Sequence, residues 1–169
     1  MSDFEMQEQQ EHLWCWAAVA VSIHQFLDPA QANLWTQETL ATKVLEHEGQ
    51  ITSKIDCSQT PDKCNFAARL DDALSITGNL APQGGVNGIL SFENLTQWID
   101  QHLPVCARIV WFGGNAHFIA LDAYEVFSSG AQLVHVQDPA EGPSYQLYED
   151  LVEDYPPGGS WQNTILVKR

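Results

Sequence analysis

Residues 15–27, CWAAVAVSIHQFL, carry apolar side chains nearly all the way round a helix, and the helix stops at Asp28-Pro29. A helix with no polar face has to be buried on every side. The apolar run from Trp14 to Ile23 is far too short for a membrane span, so the rest of the chain must supply the cover. With 169 residues the chain is close to the ~150 of a single domain and large enough for a real core. Residues 1–169 are therefore expected to form one domain around this helix.

Other helices are marked by their ends. Thr36 can cap a second helix running to about Glu48, with Gly49 after it. A polar loop covers residues 50–64. Asn65 can cap a third helix over residues 66–77, closed by Gly78. Residues 79–90 hold Pro82 and two Gly-containing turns. Ser91 can cap a fourth helix with Leu95, Trp98 and Ile99 on one side. After Pro104 the apolar period changes from 3.6 to 2 or to short runs. Residues 105–112, 116–124 and 131–137 read as strands, and shorter ones near 144–148 and 163–167 complete a sheet. The turns GGN and SSG are short enough for antiparallel neighbours. Helices first and strands second predict an α+β fold.

Charge narrows the function. Seven Lys+Arg against 22 Asp+Glu leave a net charge of −15, which argues against partners that need a basic footprint, nucleic acid and anionic membrane alike. A strongly acidic surface favours basic substrates or partners. The N-terminal MSDFEMQEQQEH has neither a basic n-region nor an apolar h-region, so no Sec signal is encoded. The expected location is cytoplasmic as encoded, or beyond the cell by leader trimming or by a signal-peptide-independent secretion system.

Four cysteines occur, at 15, 57, 64 and 106. Their spacing does not suggest a disulfide framework. Cys57 and Cys64 bracket the loop CSQTPDKC and are the one plausible pair. Zinc needs about four ligands at short paired spacings, and only these two cysteines and distant histidines are on offer. No metal or other cofactor is expected.

Cys15 sits at the first turn of the buried helix, where the helix dipole and free N–H groups favour an anion. A buried Cys is also a common small core residue. His117 lies in an apolar strand just after a Gly-Gly-Asn turn, and Asp138 ends the next strand in VQDPAEG. Either alone reads as a core or turn residue. Together the three fit nucleophilic catalysis, in which a thiolate needs an imidazole base and the imidazole needs an acceptor for its other N–H. Asp122 competes for the third role, but its odd offset from His117 puts it on the opposite face of the strand. Acyl transfer also needs oxyanion donors. The Cys15 N–H can be one, and the side-chain amide of Gln9 or of the adjacent Gln10 the other. His24, nine residues from Cys15, faces the opposite side of the helix and reads as a core histidine.

These segments resemble a known family. QEHLWCWAAVAVSI, with Gln9 just ahead of it, resembles the nucleophile helix of papain-like cysteine peptidases, with Gln six residues before Cys-Trp-Ala-Ala. PVCARIVWFGGNAHFIALDAY resembles their His strand, and VHVQDPAEG their Asp-Pro segment. The order looks most like the short bacterial branch, which includes type III effector proteases and bacteriocin-leader (double-glycine) peptidase domains. The resemblance implies an N-terminal helical half packed on a C-terminal antiparallel sheet. It implies Cys15 as nucleophile, His117 as base, Asp138 as orienter and Gln9 as oxyanion donor. Trp14 and Trp16 would wall the cleft or pack in the core, and Trp161 would shield the His-Asp pair. The Cys57/Cys64 loop is similar to a cysteine-bearing loop in relatives, with a disulfide expected only outside a reducing cytosol.

The expected activity is hydrolysis of a protein or peptide substrate by a monomer, restrained by specificity, compartment or an inhibitor or immunity protein. Two other readings use the same residues. One is a Cys-His-Asp amidase or acyltransferase of transglutaminase type. The other is a catalytically silent binding module that keeps the fold.

Overall fold

The computed structural model of the chain describes residues 3–169. Helix α1 (Cys15–Leu27) is enclosed almost completely, with Ala17, Ala18, Val19, Ala20, Val21 and Ile23 all inaccessible to solvent. Its one strongly polar core residue, His24, has a polar neighbour at each ring nitrogen, Asn79 Oδ1 at 3.0 Å and the Gln31 carbonyl at 3.2 Å.

Helix α2 (Gln37–His47) starts at Thr36 in a reciprocal box: the Thr36 hydroxyl accepts from the Thr39 N–H and the Thr39 hydroxyl from the Thr36 N–H. Helix α3 (Leu70–Thr77) ends at Gly78, whose φ of +86° gives the left-handed cap expected there. It begins four residues later than the sequence suggests, because Asn65 does not cap it. Asn65 Oδ1 instead accepts from the Leu13 N–H at 2.9 Å, and the Arg69 N–H is taken by Glu48 Oε1 at 2.9 Å. These long-range bonds hold residues 65–69 extended and displace the local cap.

Residues 79–90 also depart from expectation, since they contain a strand, β1 (Leu80–Asn87). Pro82 and the glycines are tolerated because β1 is an edge strand with an irregularity between Leu80 and Gly85. Helix α4 (Phe92–Ile99) is capped by Ser91, as its sequence indicates, and buries Leu95. The strands β2 (Val105–Trp111), β3 (Ala116–Val126), β4 (Gln132–Asp138) and β5 (Gly142–Leu147) follow in a meander. A short helix without a sequence signature, α5 (Tyr148–Glu153), leads into β6 (Gly159–Val167).

All neighbouring strands pair antiparallel, in the order β1-β6-β2-β3-β4-β5. The fold is α+β, with the helical N-terminal half packed on the C-terminal sheet. Alternation assigns the two faces of that sheet. Cys106, Phe118, Ala120 and Ile165 pack toward α1, where the alanines of the helix allow close approach. Ile109, Ile119, Leu121, Val134 and Val136 pack on the other face, with Leu95 of α4 and Leu151 of α5. Each such fully buried aliphatic side chain stabilises by ~1.5–3 kcal/mol.

Cys57 and Cys64 are joined in a disulfide and both are fully buried, while Cys15 and Cys106 are free thiols. Among the described residues, no helix is long and apolar enough to cross a membrane.

Candidate active site

Cys15 is the first residue of α1, so its N–H lacks an acceptor within the helix and points off its N-terminal end. Three hydrogen bonds fix this end to the segment after the disulfide. The Trp14 indole donates to the Cys64 carbonyl (2.8 Å), the Leu13 N–H to Asn65 Oδ1 (2.9 Å), and the Trp16 indole to the Phe66 carbonyl (3.1 Å). Trp14 is entirely core. Trp16 is buried too, yet its edge reaches the cleft that Cys15 opens into. Cys106, the other free thiol, is fully buried, and burial pushes its pKa up to about 12.

His117 is the second residue of strand β3 and lines the same cleft. Its Nε2 lies 2.8 Å from Asp138 Oδ1, and its ring shares the cleft wall with the Cys15 thiol. Since Nε2 is engaged by the carboxylate, Nδ1 is the nitrogen left to face the sulfur. Burial disfavours the imidazolium, but the hydrogen-bonded carboxylate of Asp138 and the neighbouring Cys15 outweigh it and lift the His117 pKa to about 9.

Asp138 is the last residue of β4, and its side chain is only 2% exposed. Such a burial is costly unless the carboxylate is fully bonded. Besides the imidazole, its Oδ1 accepts the N–H groups of Ala140 (2.7 Å) and Glu141 (3.2 Å), which the Asp-Pro turn folds back toward it. Its Oδ2 accepts the Tyr155 hydroxyl at 2.6 Å. Burial pushes the carboxyl up, but the His117 and Tyr155 bonds and the turn N–H groups hold it below its usual value.

Asp122 is excluded from this group by the pleat. It accepts from His135 Nδ1 at 2.8 Å, and His135 lies between Val134 and Val136, whose side chains share the face of Asp138. Asp122 thus forms a separate hydrogen-bonded pair with His135 on the reverse face of the sheet.

Gln9 lines the cleft and Gln10 does not; the Gln10 N–H is instead tied to Gln37 Oε1. Gln9 is held in place by its own N–H, which donates to the Pro139 carbonyl at 2.9 Å beside Asp138. Its amide nitrogen donates to the carbonyls of His12 (2.7 Å) and Glu11 (3.1 Å), and its Oε1 is buried with no partner. An oxyanion would therefore have to displace one of these two bonds, the longer one to Glu11 being the weaker.

Two residues of the site are missed by the sequence reading. Tyr155 sits in the loop after α5 and carries no motif. Trp111 is the ring beside the imidazole, with centroids 6.4 Å apart, and it meets Tyr155 edge-on at 6.3 Å. Trp161, expected to shield the pair, is buried in the neighbouring cluster with its indole N–H on the Asn163 carbonyl. Glycine at 159 makes the Trp111 position available: a Cβ there would stand 2.6 Å from Ile109 Cγ2 and 2.8 Å from Trp111 Cε2. The Gly-Ser-Trp start of β6 is the signal that could have been read as a close approach.

Among the described residues, no group of three or more His, Cys, Asp or Glu side chains is arranged to hold a metal ion. The family model described as "Peptidase_C39 like family" matches residues 1–164 of the chain. No curated protein matches it.

Proposed function

Because the chain belongs to the Peptidase_C39-like family, a papain-like cysteine peptidase family, we propose that it cleaves peptide bonds through an acyl-enzyme on Cys15. The observation that carries this reading is one imidazole, hydrogen-bonded to a buried carboxylate, that shares a cleft with a thiol at a helix N-terminus.

In the proposed reaction the shared proton of the Cys15–His117 pair rests on the imidazole, and the Cys15 sulfur attacks the scissile carbonyl carbon as the thiolate. The carbonyl π pair moves onto oxygen. The Cys15 N–H, and the Gln9 amide once it releases the Glu11 carbonyl, stabilise that oxyanion. Collapse of the intermediate breaks the C–N bond, and the imidazolium gives its proton to the leaving amine. Water then loses a proton to His117 and attacks the thioester, which frees the acid and restores Cys15. Throughout, Asp138 keeps the imidazole in one orientation and balances its charge.

The substrate in this reading is a protein or peptide. The Cys57–Cys64 disulfide supports work outside a reducing cytosol. The test is capture of Cys15 by a peptidyl epoxysuccinyl electrophile at neutral pH, together with peptide cleavage that Cys15→Ala abolishes. Alanine keeps the helix intact, so the variant should remain folded. Cleavage by Cys15→Ala at the wild-type rate would refute the assignment.

A further inference from the structure

The cleft beside Cys15 encloses about 970 Å³, and its floor on the α1-facing side of the sheet holds a cation. Arg108 lies in the centre of β2, paired across to Phe118 on β3 and Asn163 on β6. The even positions of β2 face α1, as buried Cys106 shows, so the guanidinium rises into the cleft rather than into the cluster behind the sheet.

Arg108 is half-buried, in a chain with only 7 basic residues against 22 acidic ones. Yet among the described residues no carboxylate lies within 4.0 Å of it. The bond it makes is one long contact, from Nη1 to Asn163 Oδ1 at 3.3 Å. Asn163 Nδ2 is in turn held at 3.3 Å by Asn87 Oδ1, so the two amides form a prop across β1 and β6 that aims the guanidinium without neutralising it. The other arginine on the cleft, Arg69, is different: it is ion-paired with Asp71 and Asp72. A guanidinium has five N–H donors in a planar fork matched to a carboxylate, and leaving it half-desolvated without an anion is costly. An empty fork aimed into a substrate cleft is the complement of a ligand carboxylate.

We propose that Arg108 is a specificity-determining residue that binds a carboxylate of the substrate, either an Asp or Glu side chain at one fixed distance from the scissile bond or the C-terminus of a short peptide. This inference rests on the cysteine-peptidase reading of the same cleft. It also runs against the bulk charge: the surface favours basic partners, whereas this subsite selects an acidic residue within them.

The test measures second-order rates of Cys15 inactivation by peptidyl electrophiles that differ in one residue, Glu, Gln or Lys, placed at each position in turn. Wild-type protein should prefer Glu over Gln at one position by ~10- to 100-fold, the worth of one charge-assisted hydrogen bond. Arg108→Gln should level the series. Arg108→Glu should prefer Lys at that same position. A companion pair of cleavable peptides, one with a free and one with an amidated C-terminus, separates the two sources of the carboxylate. A wild-type protein that is inactivated in a His117-dependent manner with no preference for Glu at any position, and equally on both companion peptides, overturns the proposal but leaves the peptidase reading standing. An identical profile in wild type and Arg108→Gln does the same. Failure of every electrophile to reach Cys15 overturns both.

Discussion

The Tyr155 hydroxyl donates a 2.6 Å hydrogen bond to Oδ2 of Asp138, the carboxylate oxygen that His117 does not use. The two residues are 17 positions apart, and the bond leaves the buried carboxylate with no free direction in which to rotate. In the proposed mechanism Tyr155 acts through Asp138 and is a positioning residue. Tyr155→Phe should cost ~1–3 kcal/mol of stability, because a buried charged acceptor loses its donor. It should also free the Asp138 carboxylate to rotate, loosen its hydrogen bond to the imidazolium, and move the alkaline limb of kcat/KM downward from about 9. A pH–rate profile of the variant checks this. A merely structural tyrosine would lower stability and leave the limb in place.

The His117–Asp138 pair makes stability depend on pH. His117 has a folded pKa of about 9, above the ordinary 6.5, so its stabilising contribution is complete below about 6.5 and is lost as pH rises through about 9. Asp138 is shifted down, so its contribution is present above the ordinary carboxylate range and is lost in acid. Urea midpoints measured from pH 6 to 10 should fall for the wild type across the upper window. His117→Ala should give a flatter curve there.

What could be read in the sequence was what local chemistry decides. The apolar circumference of α1, the Thr36 and Ser91 caps, Gly78 and the alternation of β2 to β4 each act within a few residues. Cys15, His117 and Asp138 were visible because a helix start and two strand ends are local features. Elements set by distant partners were not legible. Residues 80–87 look like turns until β6, near the other end of the chain, pairs with them. Asn65 looks like a cap until Leu13 claims its side chain. Tyr155 and Trp111 join the site only through tertiary packing, and the orientation of the Gln9 amide depends on where residues 11 and 12 turn.

Gln9 offers a kinetic separation. In the proposed mechanism its amide serves the oxyanion and not the thiolate. Gln9→Ala should therefore lower kcat for peptide cleavage by ~10²-fold, the usual worth of one oxyanion donor. Alkylation of Cys15 by iodoacetamide forms no oxyanion and should be nearly unchanged. Equal losses in both assays would place Gln9 in support of the helix start instead.

The disulfide should matter beyond its own loop. Cys57 and Cys64 are 7 residues apart, and closing so short a loop is worth ~2.5 kcal/mol in the chain-entropy picture. The Cys64 carbonyl also accepts from the Trp14 indole, next to Cys15. The Cys57→Ser, Cys64→Ser double variant should lose about that much stability by denaturant titration. Its Cys15 alkylation should slow as well, because one of the three anchors of the helix start loosens.

The central claim is that Cys15 and His117 act as a unit, and the rate of Cys15 alkylation against pH tests it most directly. Iodoacetamide reacts with the thiolate, and mass spectrometry of the labelled peptide separates Cys15 from the buried Cys106. His117 remains cationic up to about 9, so it places a positive charge beside the Cys15 sulfur across the neutral range. The account predicts that wild-type Cys15 is alkylated faster at neutral pH than the same thiol in His117→Ala. In His117→Ala the profile should shift to higher pH, and in Asp138→Asn the thiol should stay reactive while turnover falls. If wild-type Cys15 follows the profile of a simple free thiol and His117→Ala leaves it unchanged, Cys15 is a packed core residue and the proposed mechanism is wrong.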